Sequence, residues 1–345
     1  MSRLYMFAAC AAVLLSACSG HSVMQPPAAS SNPAPFGVIA HRNGVSPDAF
    51  VAVKVPSRNS GPLGIVTGPD GNVWFTEQLK DRIGKLDTNN HITEFAVPTP
   101  KSHPNHIIVG PDGNLWFTEA VGDKIAKITT AGVITEFPLP KAGSEPGGLA
   151  VGPDGDVWFT ETFHNKVAKI NPTTGTITEM KLPETRSQPA FITQALDGSM
   201  WFTEFSGNRI GEVKTDGTIA EFAVPTANAG VAGITTGADG KLWFTESTAS
   251  KIGSITTAGV IAEFPTPTAN AKPEFITPGP PGHNDVWFTE FNANNIAKVT
   301  VADGTITELA VPTPNSEPHD ISFGAGGFMW FTEFAGNQIG FDTTP

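Results

Sequence analysis

The chain has almost no cysteine, with only Cys10 and Cys18 among 345 residues. Cys10 lies in an apolar N-terminal run that we expect to be removed. The mature chain then has no intramolecular disulfide and no cysteine metal site. Positive charge is also scarce, because 21 Lys and Arg face 33 Asp and Glu for a net charge of −12. Nucleic-acid binding needs clustered Lys and Arg, so we expect no nucleic-acid partner.

Common catalytic and nucleotide-binding motifs are missing as well. No glycine-rich phosphate loop follows a strand, and neither a Gly-x-Ser-x-Gly elbow nor a His-Glu-x-x-His zinc motif is present. Beyond the extreme N-terminus no segment shows the helical period of apolar residues. Charged residues make up 16% of the chain, whereas Gly (36) and Pro (30) are abundant. This composition predicts an all-β protein dense in turns.

A repeat fixes the architecture. Every tryptophan opens the tetrapeptide Trp-Phe-Thr-Glu, and the intervals are 42 to 44 residues. The seven copies begin at Trp74, Trp116, Trp158, Trp201, Trp243, Trp287 and Trp330. Each copy contains four strand-like runs, and a unit of about 40 residues with four strands is the size of a propeller blade. The sequence therefore predicts a seven-bladed β-propeller with four-stranded blades.

The seventh copy stops before its fourth strand, and a matching piece precedes the first copy. Phe50 to Val55 aligns with the fourth-strand run Ile92 to Val97. We expect this N-terminal strand to complete the last blade and close the ring, which leaves few exposed sheet edges.

The N-terminus resembles a lipoprotein signal. Residues 1–17 combine Arg3 with an apolar run too short to span a bilayer. They end in Leu15-Ser16-Ala17-Cys18, which resembles a bacterial lipobox with Cys18 as the lipidated residue. Residues 18–47, rich in Pro, Ala and Ser, are predicted to be a flexible tether. Residues 48–345 are predicted to form the propeller, which we expect the lipid to hold in the cell envelope, facing the periplasm or the exterior.

The segments that lead into the first strands carry the informative variation. Each has the form x-Pro-y-z-Ile, with Leu in the third copy and Val231 in place of Pro in the fifth. Because the first strand of a blade is innermost, these residues should line one mouth of the central channel. The second copy places His103 and His106 there. The last two copies concentrate the ionisable residues Lys272, Glu274, Glu317, His319 and Asp320.

A second comparison points to the same two blades. Five residues after the Glu of Trp-Phe-Thr-Glu, the first five copies carry Arg or Lys, whereas the last two carry Asn295 and Gln338. If this Glu and the cation pair within a blade, Glu290 and Glu333 remain unpaired acids. Crowded carboxylates raise one another's pKa or recruit a metal ion, and oxygen ligands suit Mg²⁺ or Ca²⁺. The alternative is that these groups only solvate the channel mouth.

The repeat units Gly-Pro-Asp-Gly-x-x-Trp-Phe-Thr-Glu and Ile-Thr-Glu-Phe-x-x-Pro-Thr-Pro resemble those of the streptogramin lyases, the virginiamycin B lyase family, over all seven copies. Members of that family are seven-bladed propellers that linearise type B streptogramins by Mg²⁺-dependent elimination at an ester. Their last blade carries Glu-Pro-His, which matches Glu317-Pro318-His319. The resemblance implies Glu317 and Glu333 as metal ligands, His319 as general base, and a substrate contact at Glu274, where the family has histidine.

Three functions follow from these residues. The first is a metal-dependent carbon–oxygen lyase acting on an ester of a cyclic depsipeptide, because elimination needs a base for the proton α to a carbonyl and a Lewis acid for the enolate. The others are a metal-dependent lactonase or esterase, and a non-catalytic envelope propeller that binds a ligand. In each case we expect a monomer with a small molecule at the channel mouth and with membrane contact only through the lipid.

The lipobox generates a prediction about localisation. Replacing Cys18 with Ser should release the protein from the membrane fraction, since the lipid on Cys18 is the expected anchor. Cys10→Ser is the matched control and should leave the protein membrane-bound. Fractionation with a salt wash and immunoblotting measures both. Retention of the Cys18→Ser variant in the washed membranes would show that another anchor exists.

Overall fold

The structure, a computed structural model, describes residues 50–342. The predicted signal peptide, Cys18 and the tether lie outside these residues. The described chain forms 28 strands, β1 to β28, arranged as seven four-stranded antiparallel sheets. Two short 3₁₀ turns, Gln78–Lys80 and Ala325–Gly327, interrupt the connections. The predicted all-β propeller of seven four-stranded blades is confirmed.

Blades 1 to 6 each take four consecutive strands, and we number the blades by their Trp-Phe-Thr-Glu copy. The first four blades contain β2 Pro62–Thr67, β3 Val73–Glu77, β4 Arg82–Leu86 and β5 Ile92–Ala96; β6 Pro104–Val109, β7 Leu115–Glu119, β8 Lys124–Ile128 and β9 Ile134–Pro138; β10 Pro146–Val151, β11 Val157–Glu161, β12 Lys166–Ile170 and β13 Ile177–Lys181; β14 Pro189–Gln194, β15 Met200–Glu204, β16 Arg209–Val213 and β17 Ile219–Ala223. Blades 5 to 7 contain β18 Val231–Thr236, β19 Leu242–Glu246, β20 Lys251–Ile255 and β21 Ile261–Pro265; β22 Pro273–Pro278, β23 Asp285–Glu290, β24 Asn295–Thr300 and β25 Ile306–Ala310; β26 Pro318–Phe323, β27 Met329–Glu333, β28 Gln338–Asp342 and β1 Phe50–Lys54.

The N-terminal strand closes the ring. β1 pairs antiparallel with β28, with Phe50 opposite Asp342 and Lys54 opposite Gln338. The last blade is therefore built from both ends of the described chain, as the incomplete seventh repeat predicts. Pairing β1 in this way covers the free edge of β28, which would otherwise invite association with another chain.

The second strand of each blade supplies the core between blades. All seven tryptophans and the phenylalanines that follow them are buried. Their side chains alternate along the strand, so Trp74 packs in one cluster with Phe117 of the next blade, while Phe75 packs with Trp330 of the preceding blade. The tight turn before the strand provides the acceptor for the indole: Trp74 Nε1 donates to Asp70 Oδ1 over 2.9 Å. Hydrophobic burial thus joins neighbouring blades rather than the strands of one blade alone.

The threonine of the tetrapeptide forms a second link between blades. Thr160 Oγ1 accepts the N–H of Gly148 in its own blade (3.1 Å) and donates to the carbonyl of Ala190 in the next (2.7 Å). The same two bonds recur in every blade, and Thr332 closes the circle by donating to Leu63 of blade 1 over 2.8 Å. The seven hydroxyls that donate across a blade boundary are those of Thr76, Thr118, Thr160, Thr203, Thr245, Thr289 and Thr332. These seven threonines, which we call the threonine ring, fix the position of each first strand along the propeller axis relative to the first strand of the next blade.

Within residues 50–342, no helix has the length and apolarity needed to cross a membrane.

The threonine ring can be tested in blade 3, on the far side of the ring from blades 6 and 7. Thr160→Val keeps the shape but leaves the Gly148 N–H and the Ala190 carbonyl without partners. Each unsatisfied buried group costs about 1–3 kcal/mol, so we expect a loss of roughly 2 kcal/mol or more in the free energy of unfolding. Thr160→Ser keeps the hydroxyl and should cost less. Urea unfolding of the two variants gives the comparison, and equal losses would contradict the role of the hydroxyl.

Candidate functional site

One mouth of the propeller is built from the starts of the first strands and the ends of the second strands. Pro318 at the start of β26 lies opposite Glu333 at the end of β27, and the same register recurs in every blade. The residue before each proline, or before Val231, has positive φ in all seven blades. These left-handed residues are Gly61, His103, Glu145, Gln188, Gly230, Lys272 and Glu317. The side chains that differ between copies are therefore presented from equivalent backbone positions.

The channel is closed below this mouth by aromatic side chains. The second residue after the proline is His106 in blade 2, Phe191 in blade 4 and Phe275 in blade 6. Their rings meet, with centroids 5.5 Å apart for His106 and Phe191 and 4.5 Å for Phe191 and Phe275. Blades 1, 3 and 5 have glycine at this position, where a Cβ at Gly148 would come within 2.7 Å of Phe191 Cα. Aromatic side chains from blades 2, 4 and 6 therefore fill the centre of the channel, and the glycines of blades 1, 3 and 5 leave room for them.

A small cavity of about 150 Å³ adjoins these rings on the propeller axis. His106 Nδ1 accepts the N–H of Leu149 over 3.0 Å, and burial lowers the pKa of His106 to about 4. Asp320 also lines this cavity and accepts the N–H groups of Ile65 and Ile321. Burial raises the pKa of Asp320 to about 8 despite these two hydrogen bonds. Asp320 therefore joins blade 7 to blade 1 on the axis.

His319 lies at the mouth in a cage of phenylalanine rings. Its ring centroid is 4.9 Å from that of Phe275, 6.0 Å from Phe291 and 6.2 Å from Phe334. Its Nδ1 is buried without a hydrogen-bond partner, and its carbonyl accepts from Thr289. Burial, and next the charge of Lys272, lower the pKa of His319 to about 3. The imidazole is therefore neutral at physiological pH.

Glu274 and Lys272 form an ion pair beside this cage. Lys272 Nζ is 2.8 Å from Glu274 Oε1 and 4.3 Å from the centroid of the Phe291 ring. Ser247 Oγ also donates to Glu274 Oε1, over 3.3 Å. A cavity of about 340 Å³, lined in part by Lys272, Glu274 and Asn292, opens next to the pair. Glu274 is thus balanced by a neighbouring cation rather than left as an uncompensated acid.

The cations on the third strands pair differently from our expectation. Arg82 binds the fourth-strand Glu94, and Lys124 lies 2.5 Å from the fourth-strand Glu136. Only Lys166 also comes within 4.0 Å of the tetrapeptide glutamate, 3.8 Å from Glu161. The physical reason is that both acids share one face of the blade, but the fourth-strand carboxylate is partly exposed and stays charged more easily than a fully buried one.

The buried tetrapeptide glutamates accordingly have strongly perturbed acidities. Burial, and next the Glu94 carboxylate, raise the pKa of Glu77 to about 7. In blade 6, burial raises the pKa of Glu290 to about 7, although Asn295 Nδ2 donates to its Oε2 over 2.9 Å. Glu290 thus has a hydrogen-bond partner in place of the missing cation and is not an unpaired acid.

Blade 7 lacks both the third-strand cation and the fourth-strand glutamate that accompany the tetrapeptide glutamate in blades 1 to 5. Gln338 replaces the cation, and the register of β1 places Ala52 where the other blades have the fourth-strand glutamate. Glu333 is 1% exposed and its Oε2 has no hydrogen-bond partner. Burial raises the pKa of Glu333, against hydrogen bonds from Thr313 and Ser316 that lower it. Its carboxylate lies near Ser316 and Gly336, whose added Cβ would come within 2.9 Å of Oε2.

Between residues 50 and 342, no group of three or more His, Cys, Asp or Glu side chains is arranged to hold a metal ion. Mg²⁺, however, is usually bound by one or two carboxylates and completes its shell with water and substrate. Glu317 directly precedes Pro318, the residue opposite Glu333, and Glu333 offers a buried oxygen without a partner. The carboxylate oxygens of Glu333 and Glu317 are therefore of the chemical type that Mg²⁺ takes.

Sequence reasoning missed the aromatic residues that surround His319. Phe275 follows Glu274 directly, while Phe291 and Phe334 each follow a tetrapeptide glutamate. A signal was available, because the residue after the tetrapeptide glutamate is phenylalanine in blades 4, 6 and 7, whereas blades 1 to 3 have Gln78, Ala120 and Thr162 there. The same loops expose large apolar side chains farther round the mouth, namely Leu79, Val121, Phe163 and Phe205.

Comparison with known proteins agrees with this architecture. Residues 48–341 match the model of the Virginiamycin B lyase family. A streptogramin B lyase structure is 42% identical, with a TM-score of 0.81 over 86% of this chain and 97% of that one. Virginiamycin B lyase from Staphylococcus aureus, with selenomethionine, is 39% identical, with a TM-score of 0.82 over 86% of this chain and 100% of that one. A catalytically inactive histidine-to-alanine variant of that lyase with quinupristin is 38% identical, with the same TM-score and coverage. Comparison with the curated proteins finds no match.

The buried glutamates generate a prediction about stability and pH. Burial, and next the Glu136 carboxylate, raise the pKa of Glu119 from its ordinary 4.5 to about 8. Between these values the folded state binds more protons than the unfolded state, so this stability is complete below pH 4.5 and is lost as pH rises through 8. Because several blades share this feature, we expect the melting temperature at pH 9 to be lower than at pH 5 by about 5 °C or more.

Glu119→Gln should flatten this dependence, with little effect at pH 5 and a relative gain at pH 9. Glu136→Gln is the matched control in the same blade. Burial raises the pKa of Glu136, but hydrogen bonds from Lys124 and Thr99 outweigh it and leave that pKa lowered. The control should therefore lose stability at pH 7 to 9, where the Glu136 carboxylate is charged. Thermal unfolding followed by circular dichroism measures both variants, and parallel pH profiles for wild type and Glu119→Gln would contradict the raised pKa of Glu119.

Proposed function

The chain belongs to the virginiamycin B lyase family, and on that premise we propose that it is a carbon–oxygen lyase that opens an ester of a cyclic depsipeptide by elimination, with His319 as the general base. The observation that carries the proposal is the position of His319: a neutral imidazole in the Glu-Pro-His segment of the last blade, at the mouth of a closed channel. Neutral imidazole is the form of histidine that accepts a proton. A histidine is also the residue replaced in the inactive lyase variant with quinupristin.

The phenylalanine cage orients this base. Contacts with Phe275, Phe291 and Phe334 restrict the ring, and the carbonyl of His319 is fixed by Thr289. Because Nδ1 is buried, Nε2 is the nitrogen that a bound substrate can reach. Glu317 and Glu333 are the residues that would hold Mg²⁺, and the bound ion would supply a Lewis acid for the carbonyl next to the proton that His319 removes.

The surrounding surface supports an apolar, ring-shaped substrate. Leu79, Val121, Phe163 and Phe205 are exposed on the loops that follow the second strands of blades 1 to 4. These loops hydrogen-bond to the lead-in segments of the first strands, as when Leu79 N donates to the Ser60 carbonyl, so they stand at the same mouth as His319. Large apolar side chains exposed on one face are candidates for a binding surface. A cyclic depsipeptide could cover this arc while presenting its ester to blade 7.

Analysis of the reaction product distinguishes the lyase from the two alternatives, a lactonase or esterase and a non-catalytic propeller. We expect the full-length chain with Mg²⁺ to convert quinupristin to a linear product of unchanged mass, because elimination adds no atoms. Hydrolysis would add the mass of one water. A chain that binds quinupristin without converting it would be a binding propeller, and the lyase proposal would fail.

Single replacements should separate the roles of the two residues. Removing a general base costs about 10²–10⁴-fold in rate, so His319→Ala should lose turnover while keeping its affinity for Mg²⁺. Glu317→Gln should weaken both Mg²⁺ binding and turnover. His103→Ala, at the equivalent mouth position of blade 2 to Glu317, is the control and should retain activity. Mass spectrometry and calorimetric Mg²⁺ titration provide the measurements, and a fully active His319→Ala variant would rule out His319 as base.

A further inference from the structure

Lys272 holds a singular place at the mouth. The residues before the strand-opening proline, or before Val231, share one left-handed backbone conformation. Among these seven residues, only Lys272 is a lysine or arginine. Its neighbour at the equivalent position of blade 7 is Glu317, in the segment that carries His319. Blades 6 and 7 therefore place a cation next to the proposed catalytic segment, although the chain as a whole is acidic.

The ammonium group of Lys272 is held in place from two sides. Glu274 Oε1 lies 2.8 Å from Nζ, and the Phe291 ring centroid lies 4.3 Å from it. A cation over an aromatic face is attracted by the ring quadrupole. The same Phe291 ring stands edge-on to His319, with centroids 6.0 Å apart. Lys272 and His319 thus share one wall, and the contact with Phe291 couples the position of the cation to that of the imidazole.

The ammonium retains capacity for a further partner. Lysine has three N–H donors, and Glu274 Oε1 is the acceptor found within 3 Å of Nζ. The cavity of about 340 Å³ beside it includes Ser247, Asn270 and Asn292 in its lining. The polar side chains of these residues can hydrogen-bond to a charged group that the ammonium holds.

We propose that Lys272 is a further catalytic residue, which binds the carboxylate that departs when the ester is opened, and that Glu274 is a positioning residue for its ammonium group. The inference rests on the proposed lyase function. It differs from the role expected for Glu274 from the sequence, since Glu274 acts through Lys272 rather than by contacting the substrate itself.

The step balances without a further reactant. His319 takes the proton from the carbon α to the carbonyl, and that electron pair forms a carbon–carbon double bond to the β carbon. The bond from the β carbon to the ester oxygen breaks, and its electron pair leaves on the carboxylate. Lys272 stabilises this new negative charge by an ion pair and transfers no proton. The imidazolium of His319 then returns its proton to water.

Kinetics of the full-length chain with quinupristin and Mg²⁺ test the assignment. Lys272→Met keeps the length of the stem but removes the charge, and kcat should fall about 10²–10³-fold, as for loss of one donor to developing charge. Lys272→Arg should retain most of kcat. Lys141→Met, which removes an exposed cation from the segment leading into blade 3 on the same face, is the matched control and should be unchanged. Glu274→Gln should lower kcat less than Lys272→Met does.

Product inhibition supplies a readout that a structural role would not move. The linear product carries a free carboxylate, so its inhibition constant should rise in Lys272→Met and remain near the wild-type value in Lys272→Arg, at unchanged melting temperatures. If the wild type turns over and the kcat of Lys272→Met lies within threefold of the wild-type kcat, this inference is overturned while the proposed function stands. A change confined to KM would show a ground-state contact and would also overturn it. Absence of turnover by the wild type would remove the proposed function and this inference with it.

Discussion

The hydroxyl of one repeated threonine is the contact on which the rest of the molecule depends. Each threonine accepts a backbone N–H from its own first strand and donates to the carbonyl of the first strand in the next blade. Apolar burial of Trp and Phe drives the blades together, but it is non-directional. The hydrogen bonds of the threonine are directional. Only one position of the neighbouring strand along the propeller axis satisfies both the backbone N–H and the carbonyl. Thr289 fixes His319 in this way and Thr245 fixes Glu274, so the scaffold also sets the geometry of the site.

The site arises where the repeat is broken. In five blades a cation and a fourth-strand glutamate accompany the buried tetrapeptide glutamate, whereas blade 6 has Asn295 and blade 7 has neither charged partner. The absence of the fourth-strand glutamate in blade 7 follows from ring closure, since β1 comes from outside the repeat series and brings Ala52. The missing cation is a separate change within the seventh repeat, where Gln338 takes its place.

Much of the fold could be predicted because each blade is a local unit. Strand order, turn positions and the pairing of β1 with β28 follow from residues within one repeat and from the missing fourth strand. The mouth position of Lys272, Glu274, Glu317 and His319 also follows, since the innermost strand of a blade is always the first. The pairing of the cations was wrong, because two glutamates lie on one face and their difference in burial is a property of the packed blade. The metal and the reaction stay predictions.

The sequence by itself therefore determined the number of blades, their closure and the two blades in which the repeat departs from its pattern. Only the tertiary structure decided what those departures contact. His106, Phe191 and Phe275 come from three separate blades and meet on the axis only once the ring is closed. The cage around His319 likewise joins β22, β26 and two loops. Period and turn chemistry act between near neighbours in the chain, whereas the burial and charge balance of a side chain are set by whichever residues the fold brings against it.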